Sequence, residues 1–383
     1  MCQMTNPVRD IPLQALSRAE LERLFVSRGL KAHQARLAFQ NLHRRGARKL
    51  DEFSGLSAAA LRFLESLPAL PELQLESLVR SADGTLKLRI GIPARAANAA
   101  GVPNSASSAT TATVALTSIE AVIIPSPKRV TLCVSSQAGC AAACSFCHTG
   151  TMGLWRNLEA WEIVEQHRLA SRVWAREGGG FARDNGISNI VFMGMGEPLH
   201  NEEQVVRACE ILGDAHGAAF PVRRLVVSTA GVGARIRPFW ERGVGALAVS
   251  LHATTDALRD QLVPMNRQCN LSQLRQILLE IPWRNRESLT VAYLLLEDVN
   301  DSREDARRLA DWTAGLPAKI NLLEFNAFPG SQFKRASAER LTRFRRWLDE
   351  RGAFHTLRQS RGSDAMAACG QLAGKGRAEG VKG

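Results

Sequence analysis

The sequence predicts an α/β protein built on a parallel sheet and preceded by a small helical region. Three observations predict this class. From about Val130 onward, strand-like apolar runs alternate with helix-length segments, the βα rhythm of a parallel sheet. Six of those runs end in polar or thiol-bearing residues, as strands do where a ligand collects at their carboxyl ends. Before them, residues 16–67 carry apolar side chains at helical spacing.

Composition narrows the function classes. The chain has 383 residues, 45% of them hydrophobic, enough to bury a full core. Lys and Arg number 49 against 37 Asp and Glu, and the resulting charge of +12 favours a polyanionic partner such as nucleic acid. No stretch is long and apolar enough to span a bilayer, and the start Met1-Cys2-Gln3-Met4 lacks the basic-then-apolar layout of a secretion signal, so the expectation is a cytoplasmic enzyme without a membrane partner. Eight cysteines, half of them crowded between Cys133 and Cys147, are too few and too uneven for a disulfide scaffold; metal or redox chemistry in a reducing compartment is expected. With 6% aromatic residues and a single Tyr293, stacking platforms are not expected to dominate RNA recognition, which would lean on Arg and Lys.

Taken in order, Leu21, Leu24 and Phe25, then Ala35, Leu37, Ala38 and Leu42, mark short amphipathic helices. The basic stretch His43-Arg44-Arg45-Gly46-Ala47-Arg48-Lys49 reads equally as a solvated turn or a phosphate contact. Thr85 to Ile90 alternates like a half-buried strand, and Ala94 to Thr117 is a low-complexity run of Ala, Ser, Thr and Asn that reads as a flexible insertion. The expected organisation is a helical accessory domain over 1–80, extension strands over 81–129 with the insertion at 94–117, a core over 130–350 and a C-terminal segment over 351–383. The core strands run Val130 to Cys133, Asn189 to Met193, Arg224 to Val227, Ala246 to Val249, Leu289 to Leu296 and Ile320 to Phe325.

The strongest local signal is Cys140-Ala141-Ala142-Ala143-Cys144-Ser145-Phe146-Cys147, three thiols beside Gly139 just after a strand. Structural zinc wants four protein ligands; no fourth cysteine stands nearby, although His148 adjoins the third thiol. Three ligands fit better to an iron-sulfur cubane with one iron left open.

This spacing resembles that of the radical S-adenosylmethionine (SAM) enzymes, which implies an open (β/α)6 partial barrel, a 4Fe-4S cluster on Cys140, Cys144 and Cys147, and SAM chelated at the open iron. The resemblance narrows to the RlmN/Cfr family of RNA adenine methyltransferases, closer to its RlmN branch, and covers nearly the whole chain. It rests on Thr131-Leu132-Cys133-Val134-Ser135-Ser136-Gln137, Gly194-Met195-Gly196-Glu197-Pro198-Leu199, Ser250-Leu251-His252-Ala253, Leu262-Val263-Pro264-Met265-Asn266, Asn326 with Phe328-Pro329-Gly330, and Ala367-Ala368-Cys369-Gly370-Gln371-Leu372-Ala373-Gly374. The N-terminal helices are similar to that family's small RNA-binding accessory domain.

A ring carbon of adenine is not a nucleophile, so a radical route is needed. The resemblance implies that Cys369 takes a methyl group from one SAM, that a second SAM supplies the radical, and that Cys133 releases the product by forming a disulfide with Cys369, which an external donor such as flavodoxin restores. It further implies Glu120 as the base in product release, which would need burial to raise its pKa. The SAM contacts implied are Gly196, Glu197, Ser228, Ser250, Leu251, His252 and Asn326. Glu197 would pair with the cofactor's ammonium, and Gly196 would let the backbone approach closely. The partners expected are ribosomal RNA, transfer RNA or both, and the chain is expected to act as a monomer. Cys2, Cys209 and Cys269 read as structural.

Departures from the family pattern are His148, Ala327, the stretch Ser363-Asp364-Ala365-Met366 and a short tail. They bear on the substrate and on carbon 2 versus carbon 8, since both branches share the catalytic parts. The competing readings are a radical SAM enzyme acting on a peptide or small molecule, and a zinc-bearing RNA-binding module without catalysis. Basic residues Lys334, Arg335, Arg340, Arg343, Arg345 and Arg346, then Lys375, Arg377 and Lys382, suit either RNA phosphates or plain solvation.

Overall fold

A sheet of ten strands organises the described part of the chain. The computed structural model describes residues 11–68, 70–93, 117–178, 186–284 and 289–374. Cys2, nearly all of the low-complexity insertion and the basic residues from Lys375 onward lie outside them; Thr117 already begins a strand.

The strands are β1 (Gln74–Arg80), β2 (Leu86–Ile92), β3 (Thr117–Ser126), β4 (Arg129–Cys133), β5 (Gln137–Gly139), β6 (Leu154–Asn157), β7 (Ile187–Phe192), β8 (Leu225–Thr229), β9 (Ala246–Ser250), β10 (Leu289–Leu295), β11 (Ala318–Glu324) and β12 (His355–Arg358). The large sheet runs β1-β2-β3-β4-β7-β8-β9-β10-β11-β12, while β5 and β6 form a separate hairpin. β1 to β4 pair antiparallel, and from β4 to β12 every pairing is parallel. The six core strands expected from sequence are all present, with a seventh, β12, in what was read as the C-terminal segment.

Two expected boundaries are corrected. β1 lies before residue 81, inside the segment read as helical, because a register shift between Leu75 and Ser77 breaks its alternation and most of its side chains face solvent. β12 is four half-buried residues with no apolar alternation to announce it. β2 shows the opposite case: Leu86, Leu88 and Ile90 are fully buried and alternate with Lys87 and Arg89.

Helices α1 (Arg18–Val26), α2 (Ala32–His43) and α3 (Ala58–Glu65) form the N-terminal region. Ser17 starts α1 with a capping box to Glu20. The basic stretch after α2 is largely occupied: His43 is buried, Arg45 bonds Asn41 and Ser54, and Arg48 pairs with Glu72. The crossover helices are α5 (Ala160–Glu177), α6 (Glu202–Gly213), α7 (Gly233–Arg242), α8 (Asp256–Leu262), α9 (Leu271–Leu279), α10 (Arg303–Thr313) and α11 (Ala338–Asp349), with a single turn, α4 (His148–Thr151), after the cysteine loop. Arg18 to Asp214 and Arg207 to Glu20 tie α1 to α6 and the loop after it. Among the described residues no helix is long and apolar enough to cross a membrane.

The parallel run curls. Arg358, at the end of the outermost strand, reaches Met193 just past β7 at 3.7 Å, so the sheet closes most of a barrel and residues 359–374 fill its open side.

Candidate active site

The cysteine loop is shaped by close backbone approaches. Gly139 ends β5 at φ +79°, and a Cβ there would run into the Gly153 carbonyl oxygen. That approach brings the Cys140 N–H to Gly153 O at 2.8 Å. Ala143 adopts a positive φ of 53°, and Ser145 N–H bonds Leu262 O at 3.1 Å. Cys140 is buried; Cys144 and Cys147 are half-buried. Burial pushes all three thiols up, Cys140 to about 12, and the negative charge of Cys147 adds to this at Cys140 and Cys144. Ionising three such thiols together needs a strongly cationic centre, which is what a metal cluster supplies.

Residues from the other strand ends surround the loop. After β7, Gly196 has φ +102°, and a Cβ there would press on Gln137 at 2.6 Å. Gln137 accepts the Glu197 N–H at 2.8 Å, which fixes the carboxylate's backbone. The Glu197 side chain is 3% exposed and accepts N–H bonds from Leu199 at 3.0 Å and Ala230 at 2.7 Å. Burial outweighs those bonds and pushes its carboxyl up to about 7. Its charge is felt at Cys140 and Cys144, so carboxylate and cysteine loop share one site.

Ser228 near the end of β8 and Ser250 at the end of β9 stand 3.3 Å apart, oxygen to oxygen. Leu251 is fully buried, its N–H on Ala292 O. His252 has φ +62°, and its Nδ1 accepts the Leu294 N–H at 3.0 Å. Burial and the nearby Arg259 push it down to about 3, so the ring is neutral and its proton sits on Nε2. Asn326 past β11 is buried, with its Oδ1 left without a hydrogen-bond partner.

Sequence reasoning missed Arg259. Although fully buried on α8, it donates to Leu251 O at 3.0 Å, Ser250 O at 3.1 Å, Ala230 O at 2.7 Å and Asn266 Oδ1 at 3.0 Å. It thereby pins the loops after β8 and β9 to one point. Asn266, within a motif quoted above, was the available signal. Arg259→Met is expected to leave these acceptors unpaired and to cost about 3–5 kcal/mol, read as a lower midpoint in urea unfolding.

Cys133 ends β4 and Cys369 lies on the tail, yet both line one cavity of about 30 Å³, together with Ile124, Met193, Asn326 and Arg358. Both thiols are free, as is every cysteine among the described residues, so the disulfide implied by the resemblance is not formed here. The tail is held on two sides. His148 N–H bonds Gly370 O at 2.7 Å and Thr149 Oγ1 bonds Leu372 O at 2.6 Å, fastening it to α4. Asp364 accepts from Ser81 Oγ at 2.5 Å and Ala82 N–H at 3.0 Å, fastening it to the β1–β2 turn.

Glu120 is buried on β3, but not in isolation. Its carboxylate lies 3.4 Å from Lys87 and 3.7 Å from Arg89 and accepts the Ala373 N–H at 3.0 Å. It is not among the residues lining the two-thiol cavity. Of the C-terminal arginines, Arg335 pairs with Glu324, while Arg340 faces Glu297, Asp298 and Asp301.

The donor set fits a cluster with SAM better than zinc. Among the described residues no three Cys, His, Asp or Glu side chains converge tightly enough to share one metal ion, whereas in a cubane each thiolate binds its own iron. His148, the only candidate for a fourth zinc ligand in the loop, lies flat on Phe328 at 5.0 Å and 6°. The open acceptor of Asn326 and the Glu197 carboxylate suit the donors of an amino-acid-bearing nucleoside.

Comparison with known proteins agrees. Residues 134–310 match the model of the radical SAM superfamily. The chain is 40% identical, over 97% of its length and 93% of the relative's, to a protein of Anaeromyxobacter sp. (strain Fw109-5) named dual-specificity RNA methyltransferase RlmN. A relative of that name from Geobacter sulfurreducens is also 40% identical, covering 95% of this chain and 92% of its own. In structure the chain resembles a radical SAM methyltransferase from Sphaerobacter thermophilus, with a TM-score of 0.78 and 38% identity over 94% of this chain and 99% of that one.

Proposed function

Since the chain belongs to the RlmN family of RNA methyltransferases within the radical SAM superfamily, we propose that it methylates carbon 2 of adenosine in ribosomal RNA, transfer RNA or both. Its cofactors are a 4Fe-4S cluster and SAM. When bound, they supply one-electron chemistry that no side chain provides, which a non-nucleophilic ring carbon requires. In this reading Cys140, Cys144 and Cys147 hold the cluster, Glu197 takes the ammonium of SAM, and Ser228, Ser250, His252 and Asn326 meet its remaining polar groups. The backbone at Gly196 and Leu251 shapes the floor.

The observation that carries the proposal is the sharing of one cavity by Cys133 and Cys369, from opposite ends of the core. A radical enzyme acting on peptides needs no such pair. Cys369 holds the methyl group as a thioether. After that carbon has joined the base, the Cys133 thiolate attacks the Cys369 sulfur; the S–S bond forms as the S–C bond breaks, and the carbon leaves with the bonding pair and takes up a proton. An external two-electron donor such as flavodoxin then returns both thiols. A cavity of about 30 Å³ holds no base, so the nucleotide gains access as the segment from Gln359 to Gly374 shifts. The chain would do this as a cytoplasmic monomer.

The test is to incubate reconstituted enzyme with ribosomal and transfer RNA transcripts, reductant and labelled SAM, and to identify the product by mass spectrometry. 2-Methyladenosine is expected. 8-Methyladenosine would move the assignment to the other branch, and absence of any methylated adenosine would refute it.

The Glu197 assignment carries its own pH signature. With its carboxyl at about 7 in the free protein, Glu197 must lose a proton to pair with an ammonium, so SAM affinity should fall as pH drops below 7, approaching tenfold per unit. Glu197→Gln should bind weakly and show a flat profile, measured by calorimetry from pH 5.5 to 8.5. A sloping profile in the variant would remove Glu197 from that role. Stability follows the opposite sign. The raised carboxyl favours the protonated folded form, so its unfavourable contribution grows from the unfolded value near 4.5 up to about 7.

A further inference from the structure

We propose that Arg358 is a positioning residue that raises the share of Cys133 present as the reactive thiolate, acting as the fixed positive charge of the two-thiol cavity. The other charges around that cavity are already matched. Glu324 is held by Arg335 and by the Ser360 N–H at 2.8 Å. Arg361 turns toward Asp83 at 3.9 Å. Arg358 also lines the cavity, but among the described residues no carboxylate pairs with it; its hydrogen bond is to the soft sulfur of Met193 at 3.7 Å. A guanidinium without a counter-ion beside two thiols is a charge set where a thiolate has to form.

Among the described residues, the groups facing Cys133 leave Arg358 as the one cation that acts on it. β3 presents Val122 across the ladder, and Glu120, two residues earlier, is turned to Lys87 and Arg89. β7 presents Val191 alongside, and the Met193 N–H just beyond bonds the sulfur. The tail presents Cys369, and the end of β12 presents Arg358. Burial and the Cys369 charge push the Cys133 thiol up and Arg358 pulls it down, the balance lying at about 12. Without that cation the thiolate share of a buried thiol next to a second one would be smaller still. The step is a proton transfer alone: Cys133 S–H gives its proton to solvent base, and the guanidinium balances the charge left on sulfur.

What the thiolate is for rests on the function proposed above, but its formation does not, so the test uses resting enzyme with its cluster reconstituted and neither SAM nor RNA. Iodoacetamide is the probe: the thiolate attacks its carbon, iodide leaves, and the Cys133 peptide is followed by mass spectrometry from pH 7 to 10. Arg358→Gln is expected to slow alkylation of Cys133 about tenfold at each pH below the midpoint, which is one pH unit of upward displacement. Arg358→Lys, which keeps the charge, is expected within about threefold of the parent. Arg358→Met, with its stem still against Met193, replaces the Gln variant if that one does not fold. Coincident profiles for parent and neutral variant would overturn the proposal, as would a Lys variant as slow as the neutral one. An enzyme found to methylate no RNA would leave these profiles unchanged, so the two failures are distinguishable.

Discussion

Cys369→Ala is expected to lose methyl transfer to RNA by more than about a thousandfold, because in the proposed mechanism Cys369 carries the group and cannot be bypassed. The same variant should keep its iron, its SAM binding and its fold. The tail does not depend on that thiol: backbone oxygens of Gly370 and Leu372 bond to His148 and Thr149, and Asp364 bonds to the β1–β2 turn. Cys133→Ala should fail differently. The carbon would still be attached to the base, but nothing would displace it from Cys369, so labelled RNA should migrate with the protein on a denaturing gel. The two failures together separate attachment from release. Undiminished turnover in either variant would end the two-thiol reading.

Much of this site was legible because it uses local chemistry. Three thiols in eight residues beside a glycine cannot be read as core filler, and the strand-end rule gathered Glu197, Ser228, Ser250, His252 and Asn326 before any fold was known. The structure adds why Gly139 must be glycine: its positive φ and the Gly153 carbonyl leave no room for a side chain. The convergence of Cys133 and Cys369 was different. Nothing local to either residue announces it, and only a resemblance spanning the chain pointed there. The fold produces it because the ends of β4 and β12 and the tail after β12 line one cavity, through Cys133, Arg358 and Cys369.

What stayed hidden was structure made by burying polar groups. Arg259 looks like one of many surface arginines on an amphipathic helix, yet it is fully buried and joins two loops through three carbonyl groups. Glu120 illustrates the same limit: neither its burial, nor the cations beside it, nor the Ala373 amide from the far end of the chain could be read from the sequence. β12 was missed for want of any pattern, being four half-buried residues at the rim. Periodicity reports which face of an element meets apolar neighbours. It is silent where an element is too short to have a face, or where its buried partners are backbone oxygens.

Removal of one proposed cluster ligand should have the second large effect, and pairing it with a scaffold change tells ligand loss from loop collapse. Cys144→Ala leaves two thiols, and the protein purified anaerobically should lack the brown absorbance and most of the iron of the parent, with SAM cleavage abolished. Cys144 is half-buried, and a single methyl-sized truncation there should change the stability of the iron-free protein by no more than about 1 kcal/mol. Gly139→Ala touches no ligand, yet it drives a methyl group into the Gly153 carbonyl and imposes a left-handed backbone on alanine. The cost is about 1–2 kcal/mol for the backbone alone, before the collision is counted. Its iron-free form should therefore unfold at lower urea than the parent, and its iron content should fall although all three thiols remain. If Gly139→Ala held full iron at undiminished stability, the loop's geometry would not be what presents the thiols. A colourless, zinc-containing parent would remove the cluster itself.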